Sequence, residues 1–254
     1  MLAEKRRALI LEALAAHGSV SVTDLYRRLK VSRETIRRDI TRLESENRLR
    51  KTHGGALSLD SVEPAVEDRM SVNIDGKRAI ARRAAEMVTD GATLILDCGT
   101  TTLCLAEALV GFRRLTVYTN DIGVAARLAG RNDNRVFLLG GELQGAQGAT
   151  FGRDATTMQA GYFADLAFIS PSVLSHHPWP MDYTREAAAL HETMIAQARA
   201  VVLLVDRTKF GRTAPARVAA FERARCLITD QAPPAPAARG LKSIADEIIV
   251  ASSG

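Results

Sequence analysis

Residues 31–57 read VSRETIRRDITRLESENRLRKTHGGAL, and the spacing within this stretch decides how the first part of the chain folds. Ser32 is placed to cap a helix in which Ile36, Ile40 and Leu43 fall at i, i+4 and i+7, a narrow apolar stripe that faces a core. At about 100° per residue, Glu34, Arg38, Thr41 and Arg42 point away from that stripe, with Arg33 and Arg37 on its flanks. A helix with so little to bury and so many arginines suits a polyanion.

The preceding segments supply its support. Residues 2–16 carry Leu9, Ile10, Ala13 and Leu14 at helical spacing and end near His17-Gly18, where glycine can take the left-handed C-terminal conformation. Ser21, with Asp24 three residues on, opens a second helix through Leu25 and Leu29, and Lys30-Val31 turn into the arginine-rich helix. Helix, short turn, basic helix is the helix-turn-helix arrangement, whose second helix enters the major groove while the first braces it. Residues 48–51 and 56–59 flank the turn-forming THGG and predict a hairpin wing with Arg50, Lys51 and His53 near phosphates or the minor groove.

Charge separates in the same place. Residues 1–57 hold 13 Lys and Arg against 7 Asp and Glu, whereas residues 58–254 hold 21 against 22. The basic surplus sits on the suspected reader, which disfavours an ordinary three-helix domain with a solvated face. Double-stranded DNA is the expected partner. The candidate contacts are Arg33, Glu34, Thr35, Arg37, Arg38, Thr41, Arg42, Arg50, Lys51 and His53, with Glu34, Thr35 and Arg38 expected to reach base edges.

These residues also carry a resemblance. VSRETIRRDITRLE followed by LRKTHGGA resembles the signature of the DeoR family of bacterial transcriptional repressors, which implies an N-terminal winged helix-turn-helix. Asn47 stands where that family usually has glycine; asparagine tolerates the left-handed conformation, so the same turn is expected.

A chain of 254 residues with 46% hydrophobic and 25% charged content is ordinary globular material for one or two domains. It has no run of 18 or more apolar residues, and its start lacks the pattern of a signal peptide, so a cytoplasmic location is expected. Cys98, Cys104 and Cys226 are odd in number and have no C-x-x-C spacing, which points to reduced thiols in or near the core.

Periodicity fades over residues 58–76, where SLDSVEP and Pro64 predict an interdomain linker. From Lys77 a helical pattern returns through Ile80, Ala81, Ala84, Ala85 and Val88. Seven short apolar runs follow, at 93–97, 115–119, 135–139, 166–170, 201–206, 226–230 and 247–251, alternating with helical stretches near 103–110, 122–130, 153–160 and 185–199. Unbroken apolar runs fit strands covered on both faces. The expected fold is therefore an α/β effector domain with a mainly parallel sheet over residues 77–254, preceded by a small α+β winged helix-turn-helix domain over 1–57. PPAPAA at 233–238 reads as a proline-rich surface connection.

Ligands of open α/β sheets bind beyond the carboxyl ends of the strands. The first run ends in Asp97-Cys98-Gly99-Thr100-Thr101-Thr102 before a helix, a pattern suited to cradling a phosphate. The second ends in Thr119-Asn120-Asp121, the third in Gly140-Gly141, and the fifth in Asp206 with Lys209 three residues on. Each has a plainer reading as a capped turn, a bend or a surface ion pair; placement after successive strands favours a site for a small phosphorylated polyol or sugar.

The resemblance continues through KRAIARRAAEMVTDGATLILDCGTTT, LTVYTN, the Gly-Gly pair and VDRTKFG, which look like the DeoR-family effector domain, similar in fold to ribose-5-phosphate isomerases and the CoA-transferase group. It implies a response to phosphorylated sugars or related metabolites, with Asp97, Gly99, Thr100, Thr101, Thr102, Thr119, Asn120, Gly141 and Lys209 as ligand residues. One region departs: after the fourth run the family continues with a glycine-containing segment, but this chain has SPSVLSHHPWPMDYTREAAALHETMI, and where family members often carry lysine it has the stretch Leu190-His191-Glu192-Thr193. Trp179 there closes over a ligand or packs its loop, with packing favoured. His176 and His177 lack a regular ligand spacing with Asp182 or His191, so no metal or other cofactor is expected.

The resulting expectation is a ligand-responsive repressor, homo-oligomeric because dimers reading repeated half-sites gain affinity and specificity. Asp97, Asp206 and Lys209 leave a sugar-phosphate isomerase-like enzyme as one alternative, and a ligand-independent DNA-binding protein is another. Fusion to a DNA reader favours binding without turnover.

Overall fold

The computed structural model describes residues 2–17, 19–46, 48–52, 54–57, 63–175, 179–219 and 224–251. The expectations for Gly18, Asn47, His53, His176 and His177 fall outside these residues. The chain divides into two compact units, Met1–Glu63 and Pro64–Gly254. No helix among the described residues is long and apolar enough to cross a membrane.

The first unit runs α1 (Ala3–His17), β1 (Ser19–Ser21), α2 (Val22–Leu29), α3 (Arg33–Ser45), β2 (Arg50–Thr52) and β3 (Gly55–Leu57). Both serine caps form: Ser21 Oγ accepts from the Asp24 amide at 3.0 Å and Ser32 Oγ from the Thr35 amide at 3.1 Å. Lys30 ends α2 in the left-handed conformation, at φ 52°, and its N–H donates to the Tyr26 carbonyl. The expected stripes meet in one core, where Ile10 and Leu14 of α1, Leu25 and Leu29 of α2, and Ile36, Ile40 and Leu43 of α3 are buried. The hairpin wing forms, and it is three-stranded because β1 joins it in the antiparallel order β1-β3-β2. Gly55 is required for that closure, since a β-carbon there would lie 1.9 Å from the Val20 carbonyl oxygen.

One feature of this unit is invisible to periodicity. Arg6 of α1 and Asp39 of α3 form a buried ion pair through Nε and Oδ2, with a second hydrogen bond from Nη2 to Oδ1 at 3.1 Å. Arg6 therefore braces the recognition helix and is withdrawn from the basic surplus.

The second unit is built on a seven-stranded sheet of β4 (Thr93–Leu96), β5 (Thr116–Thr119), β6 (Arg135–Leu138), β9 (Ala164–Ile169), β12 (Ala198–Leu204), β14 (Ala224–Thr229) and β15 (Ala245–Val250). These are the seven apolar runs, and every pairing between them is parallel. Alternation along each strand sends side chains to opposite faces. Leu94 and Leu96 pack with Val202 and Leu204 in one core, while Ile95 packs with Val201 and Leu203 in the other. Helices α5 (Ile74–Ala85), α6 (Thr100–Ala108) and α7 (Ile122–Leu128) contribute to the first core, and α8 (Arg153–Ala160) and α9 (Arg185–Ala196) to the second.

Strand order is β15-β14-β12-β9-β4-β5-β6. From β4 the chain steps outward to β5 and β6; from β9 it steps the other way through β12 and β14 to β15. The order reverses between the adjacent strands β4 and β9, and the crevice beyond their carboxyl ends is where such sheets bind ligands.

Several short elements depart from expectation. Residues 64–76, part of the expected linker, contain α4 (Val66–Ser71) and the start of α5, with Asn73 between them at φ 53°. The hairpin β7 (Glu142–Gln144) and β8 (Ala149–Phe151), and the small sheet of β10 (Val173–Leu174), β11 (Pro180–Asp182) and β13 (Ala216–Arg217), are too short for a periodic signal. The proline-rich connection begins helix α10 (Ala235–Leu241), with Pro234 at the N-cap and Pro236 in the first turn, where proline's fixed φ and missing N–H are tolerated.

Asp39→Ala removes the buried carboxylate that pairs with Arg6, and is expected to destabilise the first unit by about 3–5 kcal/mol. Chemical denaturation checks this; an unchanged midpoint for that unit contradicts it.

Candidate DNA interface and candidate effector site

On α3, Arg33, Glu34, Arg37, Arg38, Thr41 and Arg42 are exposed, as their spacing from the buried stripe requires. Most are preordered by weak local contacts. Arg38 lies 3.5 Å from Glu34, Arg42 donates to Glu46 at 2.7 Å, and the Arg33 guanidinium lies over the Tyr26 ring. Exposed pairs of this kind contribute little to stability and can exchange for phosphates. Thr35 is half-buried and its hydroxyl pairs with Ser32 Oγ at 2.8 Å, within the cap. Arg50 and Lys51 are exposed on β2. Lys51 ties the wing to α3, its amide donating to Glu44 Oε1 at 3.0 Å and its Nζ to Thr41 Oγ1 at 3.0 Å. A groove lined by Glu34, Arg37, Arg38, Thr41, Arg42, Ser45 and Lys51 results.

In the second unit the expected ligand residues converge on the switch point, but in unequal roles. Asp97 is fully engaged by the protein. Its Oδ1 accepts from the Cys98 amide at 2.6 Å and lies 2.9 Å from His191 Nε2, while Oδ2 accepts from the Ser170 amide at 3.0 Å. These contacts tie Asp97 to its own loop, to the end of β9 and to α9. His191, on α9, is buried between Asp97 and Asp182, with Nδ1 2.7 Å from Asp182 Oδ2. Burial alone would lower its pKa, but the two carboxylates outweigh it and hold His191 well above the usual imidazole range. Asp182, although desolvated, is held below the usual carboxylate range by His191 and Ser172.

Gly99 adopts φ 124° and starts α6, and no side chain caps that helix. Its first turn thus presents backbone N–H groups of Thr100, Thr101 and Thr102, all buried. Thr102 Oγ1 donates to the Gly99 carbonyl at 2.8 Å, whereas Thr101 Oγ1 is buried with no partner. Thr119 Oγ1 accepts from the Asp121 amide; Asp121 in turn accepts from Gly99 at 3.2 Å and caps α7 through Val124 at 2.9 Å. Asn120 donates to the Thr150 carbonyl at 3.0 Å and leaves Oδ1 buried without a partner. Gly141 is exposed at φ 126°, and the atom its missing β-carbon clears is the chain's own Phe151 carbonyl, 2.9 Å away. Its small size serves packing of the hairpin.

Asp206 and Lys209 lie on the same crevice. Asp206 Oδ1 accepts from the Thr208 amide at 3.0 Å and hydroxyl at 2.7 Å, and Oδ2 is buried with no partner. Burial pushes this carboxyl up, but Lys209, Thr208 and Lys77 outweigh it and keep it ionised, below the usual range. Lys209 Nζ donates to Ser170 Oγ and the Pro171 carbonyl, each at 2.8 Å.

Two cations here were not anticipated. Lys77 is buried at the start of α5, donates to the Arg69 carbonyl at 2.6 Å, and has its pKa lowered by desolvation despite the field of Asp206. Lys209 and Arg69 lower it further, which places three positive groups in one neighbourhood. Arg69, on α4, donates to Gln147 Oε1 at 2.5 Å. Lys77 opens the helical pattern and was readable only as a polar face; Arg69 sat in the stretch read as linker. Asn73 bridges the same region, donating to Asp230 at 3.0 Å and approaching Asp206 at 3.4 Å. Trp179 is half-buried under the Arg217 guanidinium. Cys226 is buried and pushed up to about 11, a neutral thiol. Among the described residues no group of three or more His, Cys, Asp or Glu is arranged to hold a metal ion.

A winged helix-turn-helix joined to an α/β unit with a polar crevice at its switch point defines a DNA-binding regulator with a sensor unit. The chain belongs to the DeoR family of transcriptional repressors: residues 6–62 match the DeoR-like helix-turn-helix domain and residues 72–231 the DeoR C terminal sensor domain. It is 32% identical over 226 residues to the glycerol-3-phosphate regulon repressor of Escherichia coli K12, covering 89% of this chain and 90% of that protein. It is 32% identical over 236 residues to the transcriptional repressor GlcR of Bacillus subtilis 168, covering 92% and 90%. The putative aga operon transcriptional repressor of E. coli O157:H7 is 30% identical over 250 residues, covering 97% and 93%. Among solved structures, ribose 5 phosphate isomerase A from Neisseria gonorrhoeae is similar over 53% of this chain and 52% of its own, at 17% identity and a TM-score of 0.39.

Two outcomes follow from this geometry. Arg38→Ala removes an exposed charge and keeps the buried stripe, so operator affinity is expected to fall roughly 10- to 100-fold, equivalent to about 1–3 kcal/mol, with the second unit's melting unchanged. Unchanged affinity contradicts the assignment. The second concerns pH. His191 has a raised folded pKa, so its stabilisation is complete below the unfolded value of about 6.5 and is lost as pH rises through the folded value. Asp182, being lowered, contributes above its unfolded value and loses that contribution as pH falls through its folded one. The second unit's Tm is therefore expected to decline on the alkaline side in wild type, and His191→Gln to flatten that decline. Parallel alkaline profiles for the two proteins would refute the buried cation.

Proposed function

We propose that this chain represses an operon of carbohydrate or phosphorylated-metabolite use, acting as a cytoplasmic homo-oligomer, and that a small phosphorylated polyol or sugar bound at the switch point releases it from operator DNA. The observation that carries this reading is electrostatic. Arg69, Lys77 and Lys209 gather near one ionised, incompletely partnered carboxylate, Asp206, on the same crevice as an uncapped helix N terminus. Those three cations are suited to a phosphoryl dianion, and the helix end adds oriented N–H groups and a favourable dipole. Gly99, Thr100, Thr101 and Thr102 are the proposed cradle, Lys209 the counter-charge, and Asp206 and Asn120 acceptors for hydroxyl groups.

Binding without turnover is favoured because Lys209 already donates to Ser170 and Pro171, which positions it as a fixed charge more than a proton carrier. The names of the relatives, among them a glycerol-3-phosphate regulon repressor, support the same class of effector. Release requires only that the effector bind the DNA-incompetent state more tightly, by a coupling of about 1–3 kcal/mol.

The test is operator affinity, with DNA from upstream of the protein's own gene at fixed salt, in the presence of phosphorylated polyols and sugars and of their dephosphorylated counterparts. Release by a phosphorylated compound alone is expected, and Lys209→Ala is expected to keep operator affinity while losing that release. Equal action of the dephosphorylated partner, or normal release by Lys209→Ala, would contradict the proposal.

A further inference from the structure

Helix α9 turns one narrow face to solvent. At about 100° per residue, Arg185, Ala189, Glu192 and Ala196 fall within an arc of about 60°, opposite the buried Ala187, Leu190 and Met194. Arg185, Ala189 and Ala196 are exposed and Glu192 is half-buried. Among the described residues the Arg185 side chain has no anionic partner, and Glu192, whose Oε1 accepts from the Ala219 amide at 2.9 Å, has no cationic one. Grooves flank the helix, one against Thr156 and Thr157 of α8 and the other against Pro215 and Arg217. On the inner side His191 is tied to Asp97 and Asp182, which fixes the rotation of the helix and so the register in which its outer face is shown.

We propose that this face is the centre of a two-fold contact between the second units of two copies of the chain, with α9 packed antiparallel against its counterpart. The order of charges selects the occupant. The midpoint between residues 185 and 192 falls between Ala188 and Ala189, so a two-fold axis there sets Arg185 against the partner's Glu192, and Glu192 against the partner's Arg185. Parallel packing would oppose like charges at both places. Alanine at the crossing point lets the helix axes approach closely, and the flanking grooves receive side chains of the facing helix. Arg185 thereby gains the carboxylate it lacks within its own chain, while Glu192 keeps the Ala219 amide on Oε1 and offers Oε2. A helix of 12 residues is too small by itself for a stable dimer, which needs about 800 Å² from each partner; α8 and residues 215–217 on either side supply the remainder. This contact rests on the homo-oligomeric reading above and gives it a surface.

Sedimentation equilibrium on the full chain, without DNA and at fixed salt, tests the contact. Wild type is expected to self-associate. Arg185→Glu and Glu192→Arg each make both facing pairs like-charged, and each variant alone is expected to raise the dimer dissociation constant at least about tenfold. An equimolar mixture of the two restores opposite charges at both pairs, so the mixture is expected to associate as wild type does. A merely structural role for either residue does not produce that rescue. If Glu192→Arg does not fold, Glu192→Gln takes its place, since its amide oxygen still accepts from Ala219; mixed with Arg185→Glu it is expected to associate more tightly than either variant alone. A wild-type oligomer that neither reversal weakens, or folded variants that are weakened singly and not rescued by mixing, overturns the α9 contact while sparing the oligomer. A monomeric wild type overturns the homo-oligomeric reading, and the contact with it.

Discussion

A buried imidazolium held between two carboxylates is the constraint on which the second unit depends. Removing three ionisable groups from water is expensive, and it is tolerated only because each is satisfied: Asp97 by Cys98, Ser170 and His191, and Asp182 by Ser172 and His191. The cluster joins four places that are distant in the chain, namely the ends of β4 and β9, the short strand β11, and helix α9. It pins the loop from which α6 starts, so the N–H groups of Thr100–102 are aimed before any ligand arrives. His191 and Asp182 belong to the region where the chain departs from the family pattern it resembles.

The two units address anions in physically different ways. On α3 the arginines are exposed, loosely paired with glutamates, and screened by salt, as suits a partner that must be found quickly and left again. In the crevice Lys77 is buried, with its charge carried at a desolvation penalty and offset by Asp206. A charge held in this way is poorly screened and discriminates strongly between a charged and a neutral ligand. The first arrangement favours affinity for any duplex with register supplied by base contacts; the proposed role of the second is selectivity for one charged group.

Much of this was legible in the residues because burial writes itself as periodicity. Seven unbroken apolar runs became seven parallel strands, and the stripe Ile36, Ile40, Leu43 left the arginines of α3 outside. What was not legible shares a cause too. Arg6 and Asp39 are 33 residues apart, and no spacing rule announces a pair that only tertiary packing creates. Helix α4 buries no residue fully and so has no stripe to show, which made Arg69 look like part of a linker. Asp97 stands at the mouth of the sheet as its place after the first run implied, but the contact with His191, 94 residues on, is another product of tertiary packing that no spacing announces.

The central claim is that one phosphoryl-binding crevice and one DNA-binding surface bias the same equilibrium, and linkage makes that claim reciprocal. Calorimetric titration of a DNA-releasing phosphorylated compound into the free protein and into its operator complex, at one salt concentration, tests it most directly. Operator should weaken binding of the compound by the same factor by which the compound weakens binding of operator. Equal affinity for the free and DNA-bound protein would contradict the coupling, whatever the affinity itself.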